Sequence, residues 1–149
     1  MSAVVDASVA VKWVIDEPFY TQARALRRDA AVNGERLIVP PHFTGEVLNG
    51  IYRRLYRAGA FAITEQRATA AVRDFLAFRV EIITPPDLYE RAYDFARAHR
   101  LPTIYDSLYV TLAQLGGVEL WTADERLLNA VRSIAPAVRW IGDYASGSC

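Results

Sequence analysis

Four carboxylates occupy positions that suggest chemistry. Asp6 ends the apolar run Ala3-Val4-Val5, which reads as a strand buried on both faces. A carboxylate there costs free energy unless it is paired, hydrated or bound to a cation. Glu46 falls about a turn into a helix predicted after a second strand, off the apolar stripe of Val47, Leu48, Ile51 and Leu55. Asp106 opens the otherwise apolar helix I-Y-D-S-L-Y-V-T-L-A, and Asp124 follows a fourth strand in L-W-T-A-D-E-R-L. Taken singly, Asp106 and Asp124 are the acids that helix N-termini attract. Glu46 suits a solvated face paired with Arg53, and Ser8 and Thr122 suit helix caps. Gathered at one end of a sheet, the four acids repel one another and require a compensating cation. An all-oxygen site selects a hard ion, Mg²⁺ or Mn²⁺. Such an ion polarises phosphate oxygens, activates water and neutralises developing charge.

The elements that must position these acids alternate along the chain. Strands are expected at Ala3–Val5, Leu37–Val39, Val80–Ile83, Val118–Trp121 and Val138–Ile141. Helices are expected at Ser8–Ile15, from Asp16-Glu17-Pro18 to Asn33, at His42–Arg57, Thr64–Phe78, Asp87–His99 and Tyr105–Leu115, and from Thr122 and Asp124 to Ser133. This alternation predicts a parallel sheet with helices on both faces. Ligands of such sheets bind beyond the carboxyl ends of the strands, where Asp6 falls. The last residues, rich in Gly and Ser, are expected to fray.

The 149 residues, 52% hydrophobic, suit one domain, 1–149, with a sizeable core. No apolar run approaches the length of a membrane span, and no basic segment precedes the first apolar run as in a signal peptide. Cys149 is the only cysteine. That excludes an internal disulfide and a cysteine metal cluster, and fits the cytoplasm. Acidic and basic residues balance at 17 each, so the chain is not a generally basic nucleic-acid binder. Lys12 is the sole lysine; the remaining basic residues are arginines, the better fork for phosphate, although codon bias produces the same excess. Neither a nucleophile triad nor a Gly-rich phosphate loop is present, and His42 and His99 read as surface or loop residues.

V-V-D-A-S, the glutamate of H-F-T-G-E-V-L-N, Y-D-S-L-Y-V-T-L-A and W-T-A-D-E-R-L together resemble the PIN-domain nucleases, nearest the VapC-type toxins of prokaryotic toxin–antitoxin pairs. The resemblance covers essentially the whole chain. It implies a PIN-like three-layer α/β/α fold with a five-stranded parallel sheet in the order 3-2-1-4-5. It matches Asp6, Glu46, Asp106 and Asp124 to the family's acidic quartet, with Ser8 and Thr122 in its hydroxyl positions. Ser107 is a departure, since many members have alanine there. The implied activity is a Mg²⁺- or Mn²⁺-dependent endoribonuclease. Asp6 and Asp106 are then the principal metal ligands, and Asp124 and Glu46 complete the site. Cleavage leaves a 5′-phosphate and a 3′-hydroxyl.

Arg53 and Arg57, on the Glu46 stripe, are candidate phosphate contacts. Trp13, Val14, Ile15, Phe19 and Tyr20, with Tyr52, Tyr56 and Phe61, exceed what one core face needs. They are expected to form a homodimer and a groove for an amphipathic antitoxin segment. The rival readings are a PIN-like module that binds RNA without cutting it, a receiver-like regulatory domain and a metal-dependent phosphatase. A receiver needs an aspartate after the third strand and a lysine after the fifth; Thr84-Pro85 and Gly142-Asp143 stand there. The D-A-S-V start lacks the second aspartate of the common aspartyl-phosphate motif.

Overall fold

The computed structural model describes residues 2–60 and 62–147. The expected Phe61 contribution and the final residues 148–149 lie outside them. Five strands, β1 Ser2–Val5, β2 Arg36–Val39, β3 Glu81–Ile82, β4 Glu119–Thr122 and β5 Val138–Trp140, form one parallel sheet in the order β3-β2-β1-β4-β5. Central β1 places Val4 opposite Ile38 on one side and Leu120 on the other. Val4, Val5, Val39 and Leu120 are fully buried, as strands covered on both faces require. Strand order reverses between β1 and β4, which opens a crevice at their carboxyl ends.

The helices among the described residues are α1 Ala7–Val14, α2 Tyr20–Asn33, α3 Phe43–Arg53, α4 Glu65–Ala77, α5 Leu88–His99, α6 Ile104–Gly116 and α7 Glu125–Val131. Right-handed crossovers set α1–α4 on one face, where α1 packs on α2, α3 and α4, and α5–α7 on the other, where α5 packs along α6. None of these helices is long and apolar enough to cross a membrane.

Several boundaries differ from expectation. Asp16-Glu17-Pro18 does not open a helix. Phe19 adopts a left-handed φ of 68°, turns the chain, and α2 begins at Tyr20. Glu17 is thereby released from a helix terminus to pair with two cations. The helix after β2 does not run to Arg57; its last turn tightens into a 3₁₀ segment, Arg54–Tyr56, a common ending. The third strand keeps only two residues, because Pro85-Pro86 follow at the sheet edge. Gly50 lets α3 approach α1 closely: a Cβ there would meet Val11 Cγ2 at 2.8 Å. That close packing carries Glu46 toward the end of β1.

Candidate active site

Asp6 leaves β1 as the N-cap of α1. Its backbone N–H bonds the Trp121 carbonyl at 3.2 Å, tying the ends of β1 and β4 together. Its carboxylate is buried, and both of its oxygens accept from neutral donors. Oδ1 accepts from the Ser8 hydroxyl at 2.5 Å and the Val9 amide at 3.2 Å; Oδ2 accepts from the Thr122 hydroxyl. Those hydroxyls in turn accept from Ala123 N at 2.9 Å and Asp124 N at 3.0 Å. Ser8 and Thr122 are therefore clamps between the two strand ends rather than isolated caps. Burial pushes the Asp6 carboxyl up to about 6. Its hydrogen bonds pull the other way, and the Asp124 charge adds to the rise.

Asp124 caps α7 through Oδ1, which accepts the Arg126 and Leu127 amides at 2.9 and 3.2 Å. Asp106 sits in the first turn of α6, where the Thr103 hydroxyl caps its amide at 3.3 Å. One nitrogen, Arg126 Nη2, bridges Asp106 Oδ2 and Asp124 Oδ2 at 3.1 Å each. Partial burial lifts the Asp106 carboxyl; Arg126 opposes the rise, and Asp124 and Glu46 reinforce it. For Arg126, desolvation is outweighed by the two carboxylates, which hold the guanidinium above its ordinary value.

Glu46, in the first turn of α3, is not paired with Arg53. Its Oε1 accepts the Tyr109 hydroxyl at 2.9 Å. The ring of His42 lies beside it, with Nε2 2.7 Å from Oε1 but outside hydrogen-bond geometry. His42 stands in the turn before α3, as expected of a loop residue, but it is largely covered, with the Tyr105 and Tyr109 rings 5.1 and 4.9 Å away. His99 is exposed, as expected. Ser107, buried in α6, shares its one hydroxyl hydrogen between the Ala92 and Ile104 carbonyls, each 2.8 Å from Oγ. It fastens α6 to α5 beneath Asp106.

An open cleft of about 880 Å³ runs from Glu46, Ser8, Asp124 and Arg126 to a basic wall of Lys12, Arg53, Arg54 and Arg57. Arg53 and Arg57 are exposed on it. The expected aromatic patch divides. Trp13, Val14 and Ile15 are core and cannot face a partner, whereas Phe19, Tyr52 and Tyr56 are exposed. Three features were not found from the sequence: Arg126 among the acids, Tyr109 behind Glu46, and the Lys12–Glu17–Arg54 ion cluster. The signals were local but mute. Arg126 is two residues after Asp124, and Tyr109 is one turn after Asp106 on the same helix.

Among the described residues, no three Asp, Glu, His or Cys side chains converge tightly enough to hold a metal ion. The spacing is that of carboxylates drawn around a guanidinium. The donor set is all oxygen, as hard divalent ions require, and the Arg126 bridge demonstrates that a positive charge fits between Asp106 and Asp124. The donor chemistry of these residues therefore suits such an ion.

The PIN-domain family profile matches residues 3–132. Ribonuclease VapC12 of Mycobacterium tuberculosis is 33% identical over 127 residues, 85% of this chain and 90% of that protein. The solved Mycobacterium tuberculosis VapC20, described as a sarcin-ricin loop cleaving toxin, superposes with a TM-score of 0.59 at 22% identity, covering 86% of this chain and 94% of that one. A toxin–antitoxin complex from Klebsiella pneumoniae gives 0.55 at 19% identity, covering 92% and 95%. These two structures speak for the fold; the family profile and the sequence relative place this chain in the PIN-domain family, in its VapC branch.

Proposed function

We propose that this chain is an endoribonuclease toxin that hydrolyses RNA phosphodiester bonds with Mg²⁺ or Mn²⁺ held by Asp6, Asp106, Asp124 and Glu46. One observation carries the reading: Glu46, Asp124 and the arginine that bridges Asp124 to Asp106 line the same cleft as Arg53 and Arg57. Acids for a cation and bases for phosphates thus share one crevice.

When bound, the ion supplies Lewis-acid polarisation of the phosphate and lowers the pKa of water. The chain does the rest. The Ser8 and Thr122 hydroxyls fix both oxygens of Asp6, so its orientation is set before any ligand arrives. Tyr109 holds one oxygen of Glu46, placing that carboxylate to orient a water or receive its proton. Arg53 and Arg57 take flanking phosphates, which positions the scissile bond.

The relatives' names support an RNA substrate, and the Klebsiella complex supports an antitoxin partner. A homodimer in the cytoplasm belongs to the same proposal. Its surface would draw on Phe19, Tyr52 and Tyr56, since Trp13 and its neighbours are core. A monomer mass by light scattering at tens of micromolar would remove the dimer.

The direct test is cleavage of total RNA, which presents many sequences and shapes at once. The partner-free chain should cut with Mg²⁺ or Mn²⁺ and stop with chelator. Asp106→Ala should remain folded, because Thr103 and not Asp106 caps α6, and should lose most activity. A folded Asp106→Ala protein cutting at the wild-type rate removes Asp106 from the site. Binding without cleavage at any metal concentration favours the silent RNA-binding reading.

A further inference from the structure

The acid cluster already contains a cation of its own. Arg126 Nη2 reaches carboxylates on two different helices, at 3.1 Å each. Two features make this contact removable. The Arg126 side chain is 53% exposed, so the core does not lock it. The main chain at the same residue is held separately, by the bond from Arg126 N to Asp124 Oδ1 at 2.9 Å. The side chain can therefore leave while the α7 cap stays intact. Arg126 also stops short of the deepest acid. Among the described residues no cation pairs with Asp6, whose oxygens receive only hydroxyl and amide hydrogens.

We propose that Arg126 is a displaceable placeholder cation, which holds Asp106 and Asp124 together and competes with a divalent ion for them. This rests on the metal-dependent reading above. The physical reason is a difference in reach. A guanidinium is broad and planar and satisfies the two outer carboxylates from the cleft mouth. A compact ion can enter deeper and gain the attraction of Asp6 as well, so it wins when present. Without it, the arginine limits the repulsion between Asp106 and Asp124 and keeps the cluster from splaying. The exchange liberates a guanidinium in the cleft that Arg53 and Arg57 also line, and bound RNA would meet one more phosphate fork.

Calorimetric titration with Mn²⁺ tests this on wild type, Arg126→Ala and the length-preserving Arg126→Gln, with Asp6→Asn as the control that identifies the site. Exposed ion pairs are worth up to about 1 kcal/mol, so removing the competitor should tighten Mn²⁺ binding roughly 2–5-fold in both Arg126 variants. The Mn²⁺ concentration for half-maximal RNA cleavage should fall in step. Wild-type binding that is lost in Asp6→Asn but equal or weaker in both Arg126 variants overturns the placeholder role and leaves the metal reading standing. No Mn²⁺ binding by any of the proteins overturns both.

Discussion

Two groups of charges reach the same cleft, one through Lys12, Glu17 and Arg54 and the other through Asp124 and Arg126, and burial leaves their acids in opposite states. In the first, Glu17 Oε1 accepts Lys12 Nζ at 3.0 Å, while Oε2 accepts Arg54 Nε at 3.0 Å and Nη2 at 2.5 Å. Arg54 also donates to the Gly50 carbonyl. Burial alone would lift the Glu17 carboxyl, but the hydrogen bonds and charges of Arg54 and Lys12 outweigh it and hold it below its ordinary value. In the second, Asp106 and Asp124 share one half-exposed arginine, Asp6 has no cation partner among the described residues, and both Asp6 and Asp106 are pushed up. The difference lies in the charge inventory more than in depth. Two cations on one acid make a tie that joins α1, the turn before α2 and the end of α3. Several acids on one cation make a cluster short of positive charge. A perturbed carboxylate in a cleft marks a functional candidate when its deficit is unresolved, and a structural one when it is met.

The largest effect is expected in the balanced group. Glu17→Gln leaves Lys12 and Arg54 as adjacent, mostly buried cations, with side chains 10% and 13% exposed. Breaking a buried pair in this way costs about 3–5 kcal/mol, to be read from urea unfolding. A loss below about 1 kcal/mol would mean that the trio is no tie and the contrast fails.

The next effect is the pH profile of the metal-free protein. Asp6 rises from 3.8 to about 6, so between those values the folded state holds a proton that the unfolded state has released. Stability therefore falls as pH rises through this window, by up to about 3 kcal/mol, and stays lower above it. Glu17 acts oppositely and below its ordinary range, losing stability as pH falls. Subtracting the profile of Asp6→Asn from that of wild type in chelator isolates the first contribution. A flat difference between pH 4 and 7 would show that burial does not hold Asp6 up.

The sheet was legible because its strands are short apolar runs, and the four acids stood out as candidates because each falls just after such a run or near the start of a helix. Asp6 is the clearest example: nothing local neutralises a carboxylate at the end of Ala3-Val4-Val5. Glu17 shows the opposite case. D-E-P before a polar helix carries the local marks of a first turn, and only the left-handed Phe19 and a contact 37 positions away give the acid its real place. Trp13 looked surplus because its core partners, Phe43 and Phe78 at 6.5 and 5.9 Å, come from distant segments. Arg126 and Tyr109 could be read as site residues only after folding brought α6, α7 and α3 to one end of the sheet. The fold was written in local periodicity, and the charge balance of the site in tertiary contacts.

Metal stabilisation separates the two charge groups: the acid end awaits a cation, and the ion trio does not. Melting curves of wild type, Asp6→Asn and Glu17→Gln at pH 7.5, in chelator and in Mn²⁺, give the comparison in one experiment. An ion at about a hundred times its dissociation constant adds about 2.7 kcal/mol, or several degrees for a chain of this size. That shift is expected for wild type, the same shift for Glu17→Gln from its lower starting point, and little or none for Asp6→Asn. Equal Mn²⁺ shifts in wild type and Asp6→Asn would contradict that expectation.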